Sequence, residues 1–358
     1  MVVAVDAMGG DNAPAAVVEG AVMAAKDFGI EVLLVGLEDQ IKKELGRYSL
    51  KGLSISTKHA PEVVEMDDSP MRVLRRKQGS SIRIAIDTLL SGKAEAMVSA
   101  GNTGAVLAVS TVILRPLPGI DRPAIAILLP SIKGPVVLLD AGANVDCKSD
   151  LLFQFAIMGH VYARYQLKKS SPAIGLLSIG EEDTKGNEIT KETFRMLKHS
   201  QLNFIGNVEA KEVYRGLADV IVCDGFTGNI ALKISESLAE MIEKSLRHLF
   251  KTNIRTKLAY KLVEPYFRAF KKKVDYSEYG GAPLLGINGI CIISHGSSSP
   301  KAIKNAIKQA DEFIKNKVNH HIQKDLEFNL KTLEQPKGKG KLWKQPHNSA
   351  STPSNEDS

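Results

Sequence analysis

The 358-residue sequence has only three cysteines, Cys147, Cys223 and Cys291, and none belongs to a CxxC pair. That excludes a disulfide scaffold, and a sparse, odd set suits a reducing compartment. No run of about 18 apolar residues occurs, so no transmembrane helix is expected. The start, MVVAVDAMGGDNAP, lacks a basic flank, and its apolar run is too short for a signal peptide. No GxGxxG follows a strand pattern, no GxxxxGK[ST] marks a P-loop and no GxSxG marks a nucleophile elbow. With no HExxH and no Cys/His cluster, no metal site is expected.

Apolar residues make up 44% of the sequence and charged residues 24%, which fits a globular protein with a sizeable core. One unit recurs without any internal repeat: a short β-branched run, a glycine-bearing loop, then a segment of helical period. It occurs at 2–5, 96–99, 136–139, 220–223 and 290–293. Further strands are expected at 31–36, 53–57, 124–130, 173–180 and 203–207. Nearly continuous apolar runs imply strands buried on both faces, and alternation with helices implies a mostly parallel α/β sheet. Helices are expected from Pro14 to a stop at Gly29, after a cap at Ser80 or Ser81, for over twenty residues from Ile230, and over 300–318. One α/β domain over 1–330 is expected. The stretch 331–358 is rich in Lys, Pro, Gly and Ser, contains the single tryptophan, Trp343, and reads as a disordered tail.

The net charge is +7, and it is concentrated. Residues 241–275 hold ten basic side chains against three acidic ones. They also carry an apolar residue every fourth position from Leu246 to Phe270. Pro265 is expected to divide this stretch into two helices. A helical pair with a solvated basic face explains the pattern. So does contact with an acidic protein or an anionic membrane. Nucleic acid is not expected, because no aromatic stacking pattern or binding motif accompanies the charge.

A glycine-bearing loop that enters a helix aims unsatisfied N–H groups at one point, which suits an anion. Ligands of open α/β sheets bind beyond the carboxyl ends of the strands. The five loops DAMGGDNAP, AGNTGA, DAGANVDC, DGFTGN and SHGSSSP are therefore expected to share one cleft. Among the histidines only His295, at a strand end, is placed to matter. Cys223 and Cys291 lie in apolar runs and read as core thiols. Lys185, in GEEDTKGNEIT beyond another strand, is either a surface turn lysine or a fixed cation reaching the cleft.

VDAMGGDNAP, SAGNTGA, DRPAIA, LLDAGANVD, GEEDTKGNEITK, NFIGNVEA, DGFTGN, YGGAPLLG and HGSS occur in this order. In them the sequence resembles the bacterial phosphate acyltransferases of phospholipid synthesis, over about 1–325. The resemblance implies transfer of a fatty acyl group from acyl-acyl-carrier-protein to inorganic phosphate. The acyl phosphate formed then feeds a membrane glycerol-3-phosphate acyltransferase. It implies a three-layer α/β/α fold similar to phosphotransacetylases and isocitrate or isopropylmalate dehydrogenases, with a protruding amphipathic helical hairpin at about 241–275. It further implies a homodimer without a cofactor, cytoplasmic and peripherally associated with the inner face of the membrane. The family's catalytic lysine and asparagine fall on Lys185 and Asn229. Substrate and phosphate contacts are expected at Gly9, Gly10, Asn102, Thr103, Gly104, Asn144, Thr227, Gly228, His295, Gly296 and Ser297. Docking to carrier or membrane is expected at Arg268, Lys271, Lys272 and Lys273. Two departures stand out: Gly79 where Asn or Asp is expected, and Asn12 where His is common. A phosphotransacetylase-like enzyme using acyl-CoA is the alternative.

Overall fold

The computed structural model describes residues 1–251, 254–274 and 280–334. The first half runs β1 (Val2–Asp6), α1 (Ala15–Phe28), β2 (Glu31–Gly36), α2 (Glu38–Leu45), β3 (Ile55–His59), α3 (Pro70–Arg76), α4 (Ser81–Leu90), β4 (Ala96–Ser99), α5 (Thr103–Leu114) and β5 (Ala124–Leu129). It continues through β6 (Val136–Leu139), α6 (Ser149–Tyr165), β7 (Ile174–Leu177), α7 (Glu188–His199), β8 (Phe204–Val208) and β9 (Val220–Val222). The chain closes with α8 (Gly225–Lys251), α9 (Ile254–Val274), β10 (Ala282–Leu285), β11 (Cys291–Ile293), α10 (Pro300–Lys315) and α11 (Val318–Glu334).

The strands form one eleven-stranded sheet in the order β3-β2-β1-β4-β11-β10-β5-β6-β9-β7-β8. Alternate side chains enter opposite layers, as the strand period of two requires. Val3, Val5, Val98, Val137, Leu139 and Val222 join one core cluster, with Val17, Phe155, Phe194 and Ile307 of the covering helices. Ala4 and Met97 point the other way, into a core with Ile82, Ile86 and Val106. Leu138 and Ile221 do the same at the far end of the sheet. The result is helix, sheet, helix: the expected three layers.

Local signals place several helix ends. Gly29 closes α1 at φ 66°, its N–H bonded to Ala25 O. Ser80 caps α4 by accepting from Arg83 N–H. Ser299 caps α10 in the same way, with Pro300 in the first turn.

Three expectations are corrected. β10 was not expected; its Pro283 argues against a central strand. The strand survives because its ladder to β5 involves only Leu284 and Leu285. Pro265 does not divide the basic stretch, since α9 runs through it. α8 ends at Lys251 and α9 begins at Ile254, and the Phe250 and Tyr260 ring centroids lie 5.3 Å apart. A further helix not expected from the sequence, α11, follows α10 and covers 331–334, which lay in the expected tail. Residues 335–358, with Trp343, lie outside the described residues.

Candidate active site

Strand polarity sorts the five glycine loops into two groups. β1, β4 and β11 run parallel to one another. β5 and β6 are antiparallel, and β9 and β7 follow β6. β10 is antiparallel to both β11 and β5. The carboxyl ends of β1, β4 and β11 therefore lie at one edge of the sheet, and those of β6, β9 and β7 at the opposite edge. The single cleft expected for all five loops is not formed within one chain.

The first edge gathers Gly9, Gly10, Asn102, Thr103, Gly104, His295, Gly296 and Ser297. Asp6 is its buried hub: Ser99 Oγ donates to it at 2.7 Å and Met8 N–H at 3.2 Å. Burial pushes the Asp6 carboxyl above the usual range, against the hydrogen bonds from Ser81, Ser99, Met8 and Gly9. Gly9 has no alternative, because a Cβ there would stand 2.5 Å from Asp6 Oδ2 and 2.6 Å from Gly101 N. Asp11 N–H donates to Gly296 O at 2.8 Å, which ties the first and last loops together. Asn102 spends its whole side chain on structure. Oδ1 caps α5 at Ala105 N–H, and Nδ2 donates to Met66 O and Asp68 O, all at 2.9 Å. His295 is exposed and bonded locally to Ser297.

The second edge gathers Asn144, Thr227, Gly228, Asn229 and the Lys185 loop. Its hub is Asp140, wholly buried at the end of β6. Oδ1 accepts from Ile125 N–H and Ala143 N–H, each at 3.0 Å. Oδ2 accepts from Asn144 N–H at 2.7 Å and Nδ2 at 2.9 Å. Burial pushes this carboxyl above the usual range as well, opposed by those same donors. Asn144 O accepts from Gly225 N–H at 2.7 Å, which anchors the start of α8. Asp224 caps α8, taking Thr227 N–H at 2.7 Å and Thr227 Oγ1–H at 3.0 Å. Gly228 N–H donates to Asp224 O. The amides of Thr227 and Gly228 and the side chains of Asn144 and Thr227 are thus spent on holding the loop, not on a ligand.

At this second edge two expected residues keep side-chain capacity. Asn229 lies in the second turn of α8, exposed, with no side-chain partner among the described residues. Lys185 is exposed between β7 and α7, and its ammonium has no ion-pair partner among the described residues. β9 pairs directly with β7 in parallel, so the Lys185 loop and α8, which carries Asn229, follow the same ends of adjacent strands. Sequence reasoning missed Asp6 and Asp140 as hubs. The available signal was a single carboxylate closing an otherwise apolar strand, as in VVAVD and VVLLD.

All three cysteines are buried. Burial pushes the Cys147 thiol up to about 11 and that of Cys291 to about 12, and holds Cys223 well above its usual range. None supplies a thiolate near neutrality. Iodoacetamide applied to folded protein at pH 7.5 is expected to leave turnover unchanged; rapid inactivation would show an accessible thiolate. No group of three or more His, Cys, Asp or Glu able to hold a metal occurs among the described residues. No described helix is long and apolar enough to cross a membrane.

The basic stretch takes in the end of α8 and the whole of α9. Leu258, Leu262 and Tyr266 are 67%, 75% and 76% exposed, so this apolar stripe is not covered by the chain's own body. The side chains of Arg268, Lys271, Lys272 and Lys273 lie outside the described residues.

The fold is that of the phosphotransacetylase class. A phosphotransacetylase from Streptococcus pyogenes matches 88% of this chain and 94% of its own at TM-score 0.58 and 18% identity. A EutD phosphotransacetylase from Staphylococcus aureus matches 87% and 94% at TM-score 0.57 and 14% identity. A 4-hydroxythreonine-4-phosphate dehydrogenase from Klebsiella pneumoniae matches 90% and 99% at TM-score 0.50 and 13% identity. These likenesses establish the fold. The family follows from sequence: the model described as "Fatty acid synthesis protein" matches residues 1–321. The phosphate acyltransferase of Geobacter sulfurreducens is 53% identical over 327 residues, 91% of this chain and 94% of the relative. That of Geotalea uraniireducens is 53% identical over 329 residues, 92% and 95%. The chain belongs to this phosphate acyltransferase family and is an acyltransferase of lipid synthesis.

Proposed function

We propose that the chain transfers a fatty acyl group from the thioester of acyl-acyl-carrier-protein to inorganic phosphate, with Lys185 and Asn229 as catalytic residues. The observation that carries this reading is their placement. Both stand at the same sheet edge, Lys185 in the loop after β7 and Asn229 in the helix that follows the adjacent β9, with functional groups not spent on the fold. Phosphate is largely dianionic near neutrality, taking its second pKa as roughly 6 by analogy with a phosphate ester. It is already a nucleophile, so the reaction needs no cysteine or serine, which agrees with the buried thiols. A phosphate oxygen attacks the thioester carbonyl. The C–S bond breaks, the acyl–O–P linkage forms, and the carrier's arm leaves as a thiolate whose ordinary pKa is about 8.5. Lys185 neutralises the phosphate or the developing oxyanion, and the Asn229 amide donates to the same centre.

The acyl phosphate supplies a membrane glycerol-3-phosphate acyltransferase in this reading. The enzyme is cytoplasmic and contacts the membrane peripherally. Leu258, Leu262 and Tyr266, with the basic residues around them, suit an anionic lipid surface or an acidic carrier. The functional form is a homodimer, and the exposed Ile230, Ile234 and Leu238 beside Asn229 give it an apolar surface to bury. A second copy is also the arrangement that would bring the edge of Gly9, Gly10, Asn102, Thr103, Gly104, His295, Gly296 and Ser297 to the Lys185 edge.

The test is phosphate-dependent loss of long-chain acyl-carrier thioester, with hydroxylamine trapping of the product and an acyl-CoA control. Acyl hydroxamate that requires both enzyme and phosphate supports the reading. Faster turnover with acyl-CoA would replace the carrier by the coenzyme. Reversing Lys271, Lys272 and Lys273 to Glu is expected to weaken liposome or carrier binding at least tenfold, since each basic residue near an anionic surface contributes about 1 kcal/mol. Sedimentation with anionic vesicles and titration with carrier protein read the two contacts separately. Both unchanged would reject the docking role.

A further inference from the structure

We infer that Asn207 is a positioning residue for Lys185, kept at this sheet edge at a cost in stability. The inference rests on the catalytic role of Lys185 proposed above. Asn207 is on β8, opposite Leu176 of β7, and is 6% exposed. Its Nδ2 donates to Glu182 O at 2.9 Å. Lys185 N–H donates to the same carbonyl at 3.0 Å. One oxygen thus joins the side chain of Asn207 to the backbone of Lys185, and the tie comes from a strand rather than from the loop itself. Few other restraints act on that loop. Its side-chain ion pairs, Asp183 with Lys198 and Glu181 with Lys211, are exposed and contribute little. At its far end Asn187 caps α7.

The other end of the same amide carries the second half of the argument. Asn207 Oδ1 and Ser178 Oγ, the latter buried beneath Gly186, are buried without a hydrogen-bond partner among the described residues. Gly186 adjoins Lys185. A buried acceptor left unpaired destabilises the fold, and an apolar side chain of similar volume would remove that penalty. An asparagine serving only the fold would have both ends of its amide matched. Here one end is spent on the carbonyl that fixes Lys185, and the other is left at a loss.

The variant that separates the two roles is Asn207→Leu, assayed beside Asn207→Ala, Lys185→Ala and the double variant Asn207→Leu/Lys185→Ala. Asn207→Leu is expected to melt no lower than wild type and to lose about ten- to a hundredfold in kcat, the scale of a misplaced catalytic group. Its KM for the acyl donor should stay within about threefold. On the Lys185→Ala background the same substitution should cost nothing more, because it acts through the lysine that is already gone. Equal losses on both backgrounds, or wild-type turnover in a folded Asn207→Leu protein, would overturn the inference. A lowered melting temperature that accounts for the lost activity in both Asn207 variants would also overturn it, leaving a structural asparagine. Failure of the underlying reading looks different: Lys185→Ala itself would then turn over like wild type.

Discussion

Lys185→Ala is expected to lose a hundred- to a thousandfold of phosphate-dependent turnover while keeping its fold. The size follows from the charge it supplies. A preorganised donor aimed at the developing oxyanion of an acyl transfer carries about 2.7–4 kcal/mol of transition-state stabilisation. The fold should not notice the change: Lys185 is exposed, and its side chain makes no ion pair among the described residues. The loop's own bonds, Lys185 N–H to Glu182 O and the Asn187 cap, involve backbone and other side chains. The measurement is kcat and kcat/KM for phosphate and for acyl donor, beside the melting temperature. A fall in kcat at unchanged melting temperature is the expected pattern. Wild-type-like turnover in the folded variant would remove Lys185 from the mechanism. Asn229→Ala belongs in the same series, because its amide is the second group at this edge with bonding capacity to spare.

Much of the sheet was legible because its strands obey a simple physical rule. Runs such as AMVS and VVLL are buried on both faces, so they read as uninterrupted apolar text. β10 escaped because APLL is short and contains proline, and its place depends on what the neighbouring strands leave unpaired, not on its own residues. The division into two edges escaped for a different reason. It depends on strand direction, which apolar patterning does not encode. A signal was present in the connections. Only residues 130–135 separate β5 from β6, and only 286–290 separate β10 from β11. Parallel neighbours need a crossover of a dozen residues or more, so links this short require hairpins. These two hairpins and the antiparallel β10–β5 pairing between them make three reversals, so the second half of the sheet runs opposite to the first.

The expected binding residues fared according to how locally their bonds are made. Asn102 and Thr227 sit at helix starts, where Asn, Asp and Thr have nearby amides to satisfy. Asn102 is accordingly consumed by capping α5, and Thr227 by the cap that Asp224 provides. Asn144 is consumed by Asp140, four residues away. A glycine- and asparagine-rich loop therefore reads correctly as a loop that must be held in one shape, but its polar side chains are the means of holding it. Lys185 and Asn229, the two proposed for chemistry, are among the expected residues whose side chains find no hydrogen-bond or ion-pair partner among the described residues.

Gly228→Ala should then be the most damaging single-atom addition at this edge. A Cβ at position 228 would stand 1.9 Å from Asp140 O and 2.9 Å from Cys223 Sγ. The first neighbour is backbone and has little room to retreat. Asp140 N–H is bonded to Cys223 O at 3.1 Å, and the Asp140 carboxylate is held by four donors. The displacement therefore falls on α8, whose next residue is Asn229. Overpacking of this kind costs about 1–3 kcal/mol in stability. A shift of about 1 Å in a catalytic group costs about a hundredfold in rate. Gly228→Ala is thus expected to melt several degrees below wild type and to lose about a hundredfold in kcat even well below its melting temperature. Turnover measured across temperature separates the two effects: a purely thermal defect would recover full activity in the cold. Full recovery would mean that the approach of α8 to Asp140 serves packing alone, and that Asn229 does not depend on it for position.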